Sequence, residues 1–151
     1  MGHPKESIFI NVPMPKVQEF SSDPRNWPKF MVGLTEPTKI SGDGGQGTVV
    51  ECDFVTLGIH MPVTLKVVED SVDQDGCLHR RLEAEGKVSG WQTWDIEPQG
   101  GGTYITVERE YTMPGSVHGD VGDRLLFEMM QARDTRQSVE NLKLLMEEPP
   151  G

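Results

Sequence analysis

The spacing of apolar positions divides the later part of this chain in two. Between Thr38 and Met113 apolar side chains recur mostly at every second residue, and after Asp120 they recur every three or four. The first spacing is that of half-buried strands and the second that of an amphipathic helix. Val50, Cys52 and Phe54 share one face, opposite Glu51 and Asp53. Met61, Val63, Leu65 and Val67 lie opposite Thr64 and Lys66. Leu78, Arg80, Leu82 and Ala84 share a face, and His79, Arg81, Glu83, Glu85 and Lys87 take the other, solvated one. Trp91 to Ile96 is a further strand. The last, Thr103 to Met113, sends Ile105, Val107, Arg109 and Tyr111 inward and Glu108 and Glu110 outward. Turn-forming tracts separate these runs: Gly42-Asp43-Gly44-Gly45, Leu57-Gly58, Asp73-Gln74-Asp75-Gly76 and Pro98 to Gly102.

Ahead of this region, Ser7 to Val12 reads as a strand that stops at Pro13-Met14-Pro15. Pro15 fits the first turn of a short helix carrying Val17 and Phe20, and Asp23 with Pro24 starts a second one carrying Trp27, Phe30 and Met31 before Gly33. The last stretch, Asp120 to Glu148, predicts a helix roughly 40 Å long at about 1.5 Å per residue. Its stripe is Leu125, Met129, Ala132, Arg136, Val139, Leu142 and Met146. Hairpin-linked strands with one polar face form an antiparallel sheet with a wet and a dry side, and a long amphipathic helix packs on the dry side. The fold class is α+β. Residues 7–148 are expected to form one domain between an N-terminal tail (1–6) and a C-terminal tail (149–151).

Charge and composition narrow the function classes. The 151 residues carry a formal net charge of −10, which excludes a basic nucleic-acid footprint and keeps the protein off anionic membranes. No apolar run approaches the roughly 18 residues that span a bilayer, so stable membrane insertion is not expected. Cys52 and Cys77 lack metal-ligand spacing, and the first residues lack a signal pattern; both point to free thiols in a cytoplasmic protein. The four histidines and the acidic residues show no metal spacing, and neither glycine tract has the lysine and helix of a phosphate loop. No metal or cofactor is expected.

The order of elements resembles the polyketide cyclase/dehydrase and lipid-transport superfamily, with the helix-grip fold of START domains and birch-pollen allergens. The residues that carry the resemblance are Ile8 to Pro13, Asp23-Pro24-Arg25-Asn26-Trp27-Pro28, Gly102-Thr103, Tyr111-Thr112-Met113-Pro114-Gly115 and Asn141-Leu142-Lys143. It covers about residues 7–147. The resemblance implies a curved sheet of about seven strands around the long helix, with a cavity for a lipid, polyketide or other apolar molecule. The pattern is similar to bacterial aromatase/cyclases. Two of their features are not kept: their tyrosine position falls at Leu34, and their mid-strand arginine falls near Leu65-Lys66-Val67.

Three arginines stand at positions whose neighbours face inward: Arg80, Arg109 and Arg136. A buried guanidinium costs several kcal/mol unless it meets a carboxylate, carbonyls, water or a ligand. They are read either as a polar clamp in an apolar pocket or as structural pairs. Arg109 and Tyr111 are the candidates for catalysis. Trp27, Phe30, Met31, Phe54, Met61, Leu65, Trp94, Met113 and Met129 are candidate cavity walls, the methionines suiting a pocket that adapts its shape. Three functions remain open: a carrier for a small hydrophobic molecule, a polyketide cyclase/aromatase-type enzyme, and a protein-interaction accessory module. A homodimer is left open as well.

Overall fold

The structure, a computed structural model, describes residues 4–56, 58–112 and 121–148, with only the backbone described for 121–126. The order is β1 (Lys5–Ile10), α1 (Met14–Ser22), a 3₁₀ turn (Pro24–Asn26), α2 (Trp27–Phe30), β2 (Lys39–Ser41), β3 (Val49–Thr56), β4 (Ile59–Val72), β5 (Leu78–Gly86), β6 (Ser89–Gln99), β7 (Gly102–Thr112) and α3 (Val121–Glu147). The seven strands form one antiparallel sheet in the order β1-β7-β6-β5-β4-β3-β2. Every neighbour except β1 follows its partner in sequence, as hairpin connections require. The first strand closes on the last, with Lys5 opposite Glu108 and Ile10 opposite Thr103. This is the α+β helix-grip fold, a curved sheet with two short helices after β1 and a long C-terminal helix.

Local chemistry explains the short helices. Pro13 precedes α1, with Pro15 in its first turn, and the Asp23 carboxylate accepts from the Arg25 backbone N–H at 3.0 Å to start the next turn. The strands differ from expectation mainly in length. β4 runs 14 residues because a register shift between Val67 and Glu69 lets it go on pairing with β5 as far as Val72.

The inward faces of the strands supply most of the core, including Val50, Leu65, Leu82, Ile96 and Ile105. α3 packs on β1, β7 and α2. Lys143 Nζ donates to the Phe9 carbonyl at 2.7 Å, and the Glu147 carboxylate accepts from Asn11 N–H at 2.7 Å, which ties the helix end to the end of β1. The Asn11 N–H and then Lys143 hold the Glu147 carboxyl below its usual range.

The buried face of α3 is not the expected stripe. Phe127, Gln131, Thr135, Ser138, Val139 and Leu142 are buried, whereas Met129 is 69% exposed and the Arg136 side chain pairs in solvent with Glu140 at 3.3 Å. Among the described members of the expected stripe, Val139, Leu142 and Met146 at its end meet the core. Between Gln131 and Ser138 the helix turns a polar strip inward, which an apolar pattern cannot reveal. Met129 and Arg136 are therefore corrected from ligand-facing to outward positions. Met113 and the side chain of Leu125 lie outside the described residues.

Arg80 is corrected in a different way: it is buried but fully employed. Its Nε donates to Asp70 Oδ2 at 2.9 Å, Nη1 to the carbonyl and Oγ of Ser21 at 3.2 Å, and Nη2 to Ser22 Oγ at 2.7 Å. These contacts pin the C-terminus of α1, where a cation also meets the negative end of the helix dipole, onto β4 and β5. Removing one partner of such a pair strands the other. Arg80→Met should lower stability by about 3–5 kcal/mol, seen as a fall in the urea midpoint at unchanged slope. A loss below about 1 kcal/mol would show that the clamp is only a surface-like pair.

On the opposite face, His79 lies between two carboxylates, with Nδ1 2.6 Å from Asp95 and Nε2 2.8 Å from Asp73. Asp73 first, then Asp95, raises the His79 pKa, and the same contact lowers that of Asp73. Because the folded His79 value lies above the unfolded one, its stabilisation is complete below the unfolded value near 6.5 and is lost as pH rises through the folded value. His79→Gln should therefore lower the Tm in mildly acidic buffer, with the gap from the parent protein closing as the buffer is made alkaline. A gap independent of pH would remove the imidazolium from the account.

Candidate functional site

Alternation in β7 places Arg109 and Tyr111 on the inner face, and both are buried, at 4% and 6% exposure. Their surroundings follow from where the sheet edge ends. β1 covers β7 only as far as Glu108, and Arg109 N–H reaches the Pro4 carbonyl at 3.2 Å. At Tyr111 that edge of β7 has no strand partner among the described residues. Gln131 of α3 takes that place: its Oε1 accepts from Tyr111 N–H at 3.0 Å, and its Nε2 donates to the Tyr111 carbonyl at 3.1 Å. One side-chain amide thus reproduces the pairing of a strand residue and fixes α3 to β7.

On the other side of β7, Tyr111 faces Gly90 of β6. A Cβ on Gly90, which sits at φ +144°, would collide with the Glu110 carbonyl and stand 2.9 Å from Tyr111 Cδ1. The glycine gives the phenol ring its room. The Tyr111 hydroxyl then meets Gln92 Nε2 at 2.7 Å, and Gln92 Oε1 accepts from Trp94 Nε1 at 2.7 Å. Trp94 packs edge-on against Phe30 with ring centroids 5.5 Å apart. Phe54 lies 6.1 Å from the Tyr111 ring, Met61 stands opposite Phe54 in the ladder, and Met31 Sδ is 3.9 Å from Gln92 Nε2.

Arg109 is the unusual member. Its Nη2 donates to the Gln131 carbonyl at 3.3 Å, and its guanidinium lies 5.6 Å from the centre of the Tyr111 ring. Its Nε is sealed from solvent with no hydrogen-bond partner, and no carboxylate comes within ion-pair distance among the described residues. Burial pulls the guanidinium below its usual pKa range, opposed by Tyr111 and by half-buried Asp134. Burial raises the Tyr111 phenol to about 12, so it stays protonated at neutral pH and is no base there. Burial, and then the neighbouring Asp53, pushes the Cys52 thiol up to about 11, which makes it a poor nucleophile. Both cysteines are free.

The structure brings Phe30, Met31, Phe54, Trp94, Arg109 and Tyr111 together. Leu65 is buried on the inner face of β4, farther along the sheet. Trp27 is fully buried and gives its indole N–H to the Ser21 carbonyl at 2.9 Å, a packing role at the base of the short helices. Arg80, Met129 and Arg136 are elsewhere. The sequence reading passed over Gln92 and Gln131. Strand alternation carried the signal for Gln92, two residues before Trp94, but a neutral amide drew no attention. Among the described residues no group of His, Cys, Asp and Glu could hold a metal ion. No described helix is long and apolar enough to cross a membrane.

Comparison with known proteins matches this architecture. Solved structures of similar fold include a Thermus thermophilus protein with a TM-score of 0.72 at 17% identity, covering 93% of this chain and 94% of that one. The Zhui aromatase/cyclase of a Streptomyces species aligns with a TM-score of 0.68 at 15% identity over 96% of this chain and 93% of its own. Norcoclaurine synthase of Thalictrum flavum gives 0.64 at 18% identity, with 97% and 93% covered. At these identities the likeness concerns the fold alone. No curated protein matches in a sequence search. The sequence profile described as polyketide cyclase/dehydrase and lipid transport matches residues 1–147. The chain belongs to the polyketide cyclase/dehydrase and lipid-transport family.

Proposed function

We propose that this protein binds a small hydrophobic molecule, polyketide- or lipid-like, between the inner face of the sheet and α3, with Arg109 as the polar anchor. The observation that carries the reading is the sealed guanidinium whose Nε has no partner among the described residues. A protein gains nothing in stability from a charge held in this way. A ligand oxygen at that point would turn the cost into recognition, because hydrogen bonds to charged groups in an apolar site are among the stronger ones. The aromatic and methionine side chains around it suit a flat or flexible apolar body. The family description, which joins lipid transport with polyketide cyclisation, supports an apolar ligand in either case.

A cyclase-type enzyme is the second reading, favoured by the protonated Tyr111 phenol next to Arg109. Together they would polarise a carbonyl, the phenol donating a hydrogen bond and the guanidinium stabilising negative charge on oxygen. The other polar positions expected of an aromatase are apolar here: Leu34 bridges to Phe54, and Leu65 and Val67 are buried. Binding without turnover is the simpler reading.

Arg109→Met separates ligand anchoring from structural support. Binding of a panel of aromatic ketones and fatty acids, followed by tryptophan fluorescence, should weaken about ten- to a hundredfold for the best ligand. The Tm of the ligand-free variant should stay level or rise, since an uncompensated buried charge has gone. Unchanged binding with a large fall in Tm would make Arg109 a structural residue and remove the proposed anchor.

A further inference from the structure

The hydrogen-bond chain ending on Tyr111 has a fixed direction. The Trp94 indole N–H can donate and cannot accept. It lies 2.7 Å from Gln92, so the amide oxygen must face it and the amide nitrogen must face Tyr111. The reversed amide would set two donors against each other at that distance. Gln92 Nε2 then donates to the phenol oxygen, which leaves the hydrogen of the Tyr111 hydroxyl unused. No described residue accepts it. Two residues earlier in β7, the Arg109 Nε–H is also without an acceptor among the described residues. Two donors thus share the buried inner face of β7, on residues two apart, and among the described residues no carboxylate forms an ion pair or hydrogen bond with either.

Resting on the interior-binding reading above, we propose that Gln92 is a specificity-determining positioning residue: by holding Tyr111 as a donor, it selects ligands that present a carbonyl or oxyanion to Tyr111 and Arg109. A ligand amine would bring a third donor to the site. A hydrocarbon would leave both hydrogens unsatisfied. A keto, enolate or carboxylate oxygen has two lone pairs for the two donors and no hydrogen of its own to place.

The test compares an aryl ketone, acetonaphthone, with its hydrocarbon isostere, isopropenylnaphthalene, by fluorescence titration of the full chain. The parent protein should bind the ketone at least about tenfold more tightly, the size of one or two buried hydrogen bonds. Tyr111→Phe should cut that preference about fivefold to tenfold and leave the affinity for the isostere unchanged, which also reports that the variant folds. Gln92→Glu keeps the shape of the side chain and removes the donor. In alkaline buffer its carboxylate should draw the Tyr111 hydrogen away, giving the same loss as Tyr111→Phe, with no further loss in the double variant. In acidic buffer the protonated carboxyl donates as the amide did, and the preference should return. A merely structural role for Gln92 would not produce that reversal. A preference that survives Tyr111→Phe, or one that is independent of pH in Gln92→Glu, overturns the proposal. Equal binding of the two probes by the parent protein overturns it while leaving interior binding standing; failure of the parent to bind either probe overturns both.

Discussion

A guanidinium in a medium of low dielectric must be compensated, and the arrangement around Arg109 follows from how partially that has been done. Its Nη2 reaches the Gln131 carbonyl, its face lies near the Tyr111 ring, and its Nε reaches nothing among the described residues. The same few residues join sheet to helix. Gln131 holds the Tyr111 backbone where β1 no longer covers β7, and Gln92 holds the Tyr111 hydroxyl from the neighbouring strand. The geometry of the candidate site and the docking of α3 thus share one set of contacts. A change at Gln131 would loosen both at once.

Arg80 is the internal control for this argument. It is as buried as Arg109, but every nitrogen has an acceptor, and one of these belongs to Asp70. That arginine ties α1 to the sheet and has nothing left to offer a ligand. Two residues of one type at equal depth therefore fall on opposite sides of the division between structure and recognition, and partner count decides which.

The strands and their inward faces were legible because each strand alternates against one wet and one dry environment, and that constraint is local. The same period-two rule placed Arg109 and Tyr111 inward in β7 and the core residues of β3 and β4 with them. The helix was less legible. Its inner face includes Gln131, Thr135 and Ser138, whose side chains bond to the Tyr111 backbone, to the helix itself and to Val32 N–H. Tyr111 and Val32 belong to distant parts of the chain, so the apolar periodicity places the stripe about a quarter-turn away and takes in Met129 and Arg136. Gln92 was missed for a related reason. Its role comes from the two side chains it joins, and pairing between strands is not written in the sequence around it.

The central claim is that the Arg109 Nε–H waits for a ligand acceptor, and nuclear magnetic resonance of that one group tests it most directly. In the ligand-free protein the Nε–H signal should lie at the position of a proton without a hydrogen bond, and it should move downfield when acetonaphthone is added. A signal already downfield in the free protein, and unmoved by the ketone, would mean that a protein acceptor satisfies it and that Arg109 is structural.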